Sequence, residues 1–183
     1  MTALHTVPKT IYFSAKNSFV FAMSICLIAV SAQLSIPLPN NPIPIIWYMN
    51  LMYLYAALKG PWQGVQLVVA YLALAFLGAP ILANGAGGPL CFLGPSGGYF
   101  IGFIPATFVV GYLCQHGFDK NKGLLFLAFL LGNSLVYFFG IPHLSLFLGI
   151  KGAFYYGLVP FLPGFLIKNF MATIAYCFLR SRW

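Results

Sequence analysis

The sequence predicts an all-α integral membrane protein, a bundle of about six transmembrane helices with N- and C-termini in the cytoplasm. Three observations carry this expectation. The 183 residues are 61% hydrophobic and 5% charged, too little polar surface to cover a soluble domain of this length. Turn-forming residues and single basic residues divide the chain into long apolar runs. The only acidic side chain is Asp119, which lies in a polar stretch outside those runs.

The first span is expected from about Ser14 to Ser35. It ends at Pro37, Pro39, Pro42 and Pro44, a proline density that no helix interior accepts. Val30-Ser31-Ala32 resembles a signal-peptide cleavage site, but the run is read here as a retained first helix. The second span runs from about Ile45 to Leu58 and stops at Lys59-Gly60-Pro61. The third covers about Trp62 to Leu77. A long neutral loop rich in glycine follows, from Gly78 to Pro95. The fourth span runs from about Ser96 to Cys114. The fifth starts near Leu124, and Gly140 and Pro142 interrupt it, so it is one kinked helix or a span plus a shorter piece. The sixth runs from Phe161 or Pro163 to Leu179. Residues 1–183 are thus expected to form a single transmembrane domain in a multi-pass protein of the cytoplasmic membrane.

The orientation follows from the basic residues. In this layout Lys9, Lys16, Lys59, Lys120, Lys122, Arg180 and Arg182 share one side, and Lys151 lies on the other. That asymmetry places the basic side in the cytoplasm. The spacing also excludes nucleic acid as a partner, because the charges sit singly at the ends of apolar runs. Cys26, Cys91, Cys114 and Cys177 are far apart and read as small buried apolar residues, not as metal ligands or a disulfide framework. No Walker A sequence is present, no cofactor is implied, and Asp119 is assigned no role.

Lys168 is the leading functional candidate. It lies about five residues into the sixth span, roughly 8 Å from the helix start. An intramembrane lysine costs roughly 2.5–3.5 kcal/mol on insertion scales and needs a partner. With no acid in any span, the expected partner is an anionic ligand; snorkelling to the outer interface is the alternative. Asn84 and Gly85 belong to the glycine-rich loop, where backbone can approach a ligand closely. Tyr99, Trp47 and Tyr48 are candidate walls and polar contacts. Gly94, Gly98, Gly102 and Ala106 form a small-residue stripe for close helix packing. Ala15, Ser18, Ala22, Cys26 and Ala29 lie along one face of the first helix, a candidate partner surface or an internal packing face.

Taken together these motifs resemble the BioY family, the biotin-binding S-components of energy-coupling-factor (ECF) transporters. The resemblance rests on Ser35-Ile36-Pro37-Leu38-Pro39 with Pro42-Ile43-Pro44, on Gly78-Ala79-Pro80-Ile81-Leu82-Ala83-Asn84-Gly85, and on Gly94-Pro95-Ser96-Gly97-Gly98-Tyr99. Pro160-Phe161-Leu162-Pro163-Gly164 and Lys168 complete it. It implies a six-helix bundle that binds biotin on its outer side. It further implies docking, through small residues of the first helix, to a membrane scaffold subunit carrying two ATPase subunits. The chain departs from the family pattern at Phe165, where members usually have Asp, and at Ile46 and Tyr48, where they often have Thr and Gln. Asn84, Tyr48 or Asn169 are the residues placed to compensate.

The sequence therefore leads to a non-enzymatic role in biotin uptake within the membrane lipid bilayer. Two other classes stand beside it. One is a channel or secondary transporter for another small organic anion, although the chain shows no internal repeat. The other is a rhomboid-like intramembrane protease with Ser96 in Gly94-Pro95-Ser96-Gly97, which would need a base that the spans do not supply except for His143.

Overall fold

The structure, a computed structural model, describes residues 15–35 and 46–180. Every regular element among them is helical: α1 (Ala15–Gln33), α2 (Tyr48–Lys59), α3 (Pro61–Phe76), α4 (Pro89–Leu93), α5 (Gly97–Gln115), α6 (Lys122–Gly157) and α7 (Leu162–Arg180). Short 3-10 turns occupy Ala83–Gly85, Phe118–Lys120 and Val159–Phe161. The proline segment 36–45, with Lys9 and Arg182, lies outside the described residues.

Glycine decides how the helices meet. Gly60, at φ 100°, turns the chain directly from α2 into α3, and Pro61 starts α3 where a missing N–H costs nothing. α5 lies against this hairpin: a Cβ on Gly111 would stand 2.7 Å from the Pro61 Cα. On its other side α5 packs on α6. A Cβ on Gly102 would stand 2.9 Å from the Val136 Cα, and one on Gly98 would run into His143. Ala106 is fully buried. The expected small-residue stripe therefore is a helix–helix seam from Gly98 onward, while Gly94 precedes α5. The core along this seam is aromatic, with Phe103 set edge-on to Tyr48 and Phe129 stacked on Tyr53.

Three expectations change. The helix expected to falter at Gly140 and Pro142 runs through both and breaks at Gly149, at φ 69° and ψ 167°. Pro142 removes a single ladder bond, and Gly140 is there for packing: a Cβ would stand 2.5 Å from the Tyr99 ring. From Lys122 to Leu148 the helix is about 40 Å long, enough to cross a hydrocarbon core of about 30 Å. The long neutral loop also has structure of its own. Tyr71 donates from its hydroxyl to the Ile81 carbonyl at 2.5 Å, Gly88 N–H donates to the Ala75 carbonyl at 2.7 Å, and Leu82 is buried. Of the four cysteines, all free, only Cys114 is buried, and Cys26 is exposed.

Asp119 is structural. Its carboxylate pairs with Arg180 at 2.5 Å and accepts from the Tyr176 hydroxyl at 3.1 Å. The lone acid thus ties the C-terminal end of α7 to the turn between α5 and α6. Among the described residues, length and apolarity mark α5 and α6 as able to cross a membrane; Asn17–Gln33 within α1, and α3, are shorter apolar stretches.

The tight α5–α6 seam gives a prediction. Gly102→Leu drives a side chain into the Val136 backbone and destabilises the bundle by about 1–3 kcal/mol. Thermal unfolding in detergent reads this as a lower midpoint; an unchanged midpoint would show that the helices do not meet so closely.

Candidate functional site

A cavity of about 470 Å³ lies at the end of the bundle where α2, α5 and α7 begin. Small-molecule sites span roughly 300–1,000 Å³. α2 contributes Tyr48, Met49 and Asn50 to the wall, and the loop before α4 contributes Leu82, Ala83, Asn84 and Ala86. Ser96, Tyr99, Phe100 and Phe103 come from α5 and its lead-in. Asn133, Val136 and Tyr137 project from the middle of α6, and Phe165 and Lys168 from α7. The wall is chiefly apolar and aromatic with a few polar groups, the usual composition of a site that encloses a small organic molecule.

Lys168 is half-buried on this wall. Its Nζ donates to the Ile46 carbonyl at 2.7 Å and lies 5.1 Å from the centre of the Trp47 ring. An ammonium has three donors, and the carbonyl takes one. Carbonyl and ring hold the lysine in place without neutralising it. The chain's single carboxylate side chain is elsewhere, on Arg180, and the stretch from Lys168 to Arg180 is about 18 Å of helix. An anion entering the cavity therefore meets a positioned cation with donors that none of the described residues takes.

Of the residues singled out from the sequence, Lys168, Asn84, Tyr99 and Tyr48 line the cavity. Tyr99 presents its ring while its hydroxyl donates to the Gly157 carbonyl at 3.3 Å. Tyr48 is buried between Tyr71 and Phe103, with ring centres 5.8 and 6.0 Å away. Asn84 adopts the left-handed conformation at φ 60° and accepts from the Ser35 hydroxyl at 3.1 Å, which joins the loop to the end of α1. Trp47 is not on the wall; it backs Lys168. Gly85 is exposed at φ 69° and shapes the turn that carries Asn84. Phe165 lines the cavity and faces Tyr137 at 6.1 Å, so the departure from the family pattern lies on the cavity wall.

Sequence reasoning missed Asn50 and Asn133, which line the cavity, and gave Asn169 only a secondary place. Asn169 is fully buried, and its Oδ1 accepts from Asn50 at 3.0 Å and Asn133 at 2.8 Å. The signal was available: three amide side chains stand in otherwise apolar runs, where polar groups are costly.

On α1, Ala22 and Cys26 are exposed, Ser18 is half-buried, and Ala29 packs against the core. The Ala15 side chain lies outside the described residues. Larger apolar side chains, including Phe19, Met23, Leu27 and Val30, are exposed beside Ala22 and Cys26. Ser96 sits on the cavity wall, and His143 lies nearby but directs Nε2 at the Gly94 carbonyl, 3.0 Å away. Against a carbonyl that nitrogen must carry the proton, so it is no base for Ser96.

Comparison with known proteins gives a consistent assignment. The chain is 32% identical over 160 residues to a probable biotin transporter BioY of Pyrococcus horikoshii, covering 87% of this chain and 93% of the relative. It is 35% identical over 150 residues to the biotin transporter BioY of Thermotoga maritima, covering 81% and 86%. Its fold matches the crystal structure of the S-component for biotin from an ECF-type ABC transporter, with a TM-score of 0.81, 32% identity, and 91% and 92% of the two chains covered. A more distant likeness, TM-score 0.61 at 18% identity over 89% and 90% of the chains, is to FolT bound with folic acid and shows a shared fold. The relatives are named as transporters, in keeping with a non-enzymatic site. The BioY family matches residues 5–183, nearly the whole sequence, and the chain belongs to that family.

Proposed function

We propose that this chain takes up biotin as the membrane-embedded, substrate-binding S-component of an ECF-type transporter. The observation that carries this reading is Lys168, a cation without a carboxylate partner among the described residues, on the wall of a 470 Å³ cavity. Biotin supplies what that cavity lacks and accepts. Its carboxylate pairs with the Lys168 ammonium, and its fused rings pack among Tyr99, Phe100 and Phe103.

In this reading α1, α2, α3, α5, α6 and α7 cross the cytoplasmic membrane and α4 belongs to the loop over the cavity, giving one multi-pass domain. The distribution of charge supports an outward-facing cavity and cytoplasmic termini. Lys59, Lys120, Lys122 and Arg180 lie at the end of the bundle away from the cavity, and Lys151 lies at the cavity end. α2, at 12 residues, spans only about 18 Å and so crosses only part of the core by itself. Capture is from outside, beneath the 78–95 loop, and release is inward. The partners are a scaffold subunit and two ATPase subunits. The face of α1 that carries Ala22 and Cys26, with Ala15 and Ser18 in line, is the proposed docking surface; Ala29, turned to the core, contributes less.

Two outcomes are expected. Lys168→Ala weakens biotin binding by roughly ten- to a hundredfold in calorimetry of the purified protein, the usual weight of a hydrogen bond to a charged group. Unchanged affinity would remove the carboxylate contact. Concentrative uptake by reconstituted vesicles requires the ATPase subunits; uptake driven by a proton or sodium gradient without them would place the chain among secondary transporters instead.

A further inference from the structure

One polar cluster has a chemical direction that the lysine does not explain. Asn133 is 1% exposed and lies on the cavity wall. Its Nδ2 donates to the Phe129 carbonyl at 2.9 Å and to Asn169 Oδ1 at 2.8 Å, so both amide hydrogens are used. Asn50 donates to the same Asn169 oxygen at 3.0 Å. The Phe129 carbonyl fixes the direction of the chain of amides. Turning the Asn133 amide over would set its oxygen against that carbonyl and against Asn169 Oδ1. Asn133 Oδ1 is therefore held as an acceptor, and it has no donor among the described residues.

A buried acceptor without a donor favours a ligand N–H and repels an anion. Lys168, held at Ile46, prefers the opposite chemistry. Asn50, bonded to the same amide as Asn133, lies in the first turn of α2, whereas Ile46 precedes that helix. The cavity thus has a cationic station and, deeper along α2, an acceptor station.

We propose that Asn133 Oδ1 accepts a hydrogen bond from a ureido N–H of the bound ligand, so that Asn133 is a specificity residue set against ligands lacking that donor. This rests on the reading of biotin as the ligand, whose cyclic urea offers two such groups and whose carboxylate offers none. Asn169 acts through Asn133 and Asn50, holding both amides in register, and lies outside the wall.

Calorimetry on the purified full chain tests this with biotin and its two ureido N-methyl analogues, against wild type and Asn133→Ala. Wild type should prefer biotin over one of the two analogues by roughly tenfold or more. In Asn133→Ala that preference should shrink, since the acceptor is gone and there is room for the methyl group. An equal preference in both proteins overturns the proposal. Should Asn133→Ala not fold, the wild-type comparison decides alone: equal affinity for biotin and both analogues overturns it. Wild type that fails to bind biotin at all would instead overturn the ligand assignment on which the proposal rests.

Discussion

The cavity of this fold presents a positive charge that no carboxylate among the described residues neutralises. Lys168 stands in an apolar bundle, steadied by the Ile46 carbonyl and the Trp47 ring. Neither partner carries a negative charge. The single carboxylate side chain is committed to Arg180 and Tyr176 at the other end of the same helix. That division of labour explains why the acid matters although it is remote from the cavity. It anchors one end of α7, and the other end is left to present the lysine. An acid placed within reach of Lys168 would compete with any anionic ligand for it.

Close packing gives this charge its surroundings. Gly98, Gly102 and Gly140 let α5 and α6 approach until side chains of one helix rest on the backbone of the other. The same approach brings Tyr99 over Gly140, with its hydroxyl on the Gly157 carbonyl, and so sets the back wall of the cavity. On the opposite side the loop before α4 is held by Tyr71 and by the Gly88–Ala75 hydrogen bond, which positions Asn84 at the rim. The site is therefore built on packed helices and a tethered loop, with the asparagine cluster supplying polarity along one wall.

Much of this was legible in the residues. Prolines and glycines marked the helix limits, and Lys59-Gly60-Pro61 became the one-residue turn between α2 and α3 that its composition suggests. Lys168, Asn84, Tyr99 and Tyr48, which line the cavity, stood out in the sequence because each is a polar or aromatic group beside a turn signal or inside an apolar run. Other features depend on contacts between distant segments, which periodicity does not encode. Gly140 looks like a helix breaker until Tyr99 is seen lying on it. Asn50, Asn133 and Asn169 lie on three different helices, and only the fold brings their amides together. Asp119 looked like a loop residue without a role because Tyr176 and Arg180 are far along the chain.

The central claim is that one cavity, with a lysine at one station and an amide acceptor deeper in, receives biotin lengthwise. A crystal structure of the chain with biotin tests it most directly. The account predicts the ligand among Tyr99, Phe103 and Phe165, with its carboxylate within hydrogen-bonding reach of Lys168 Nζ and its fused rings toward Asn133. Biotin bound outside this cavity, or inside it with its carboxylate remote from Lys168, would contradict the account.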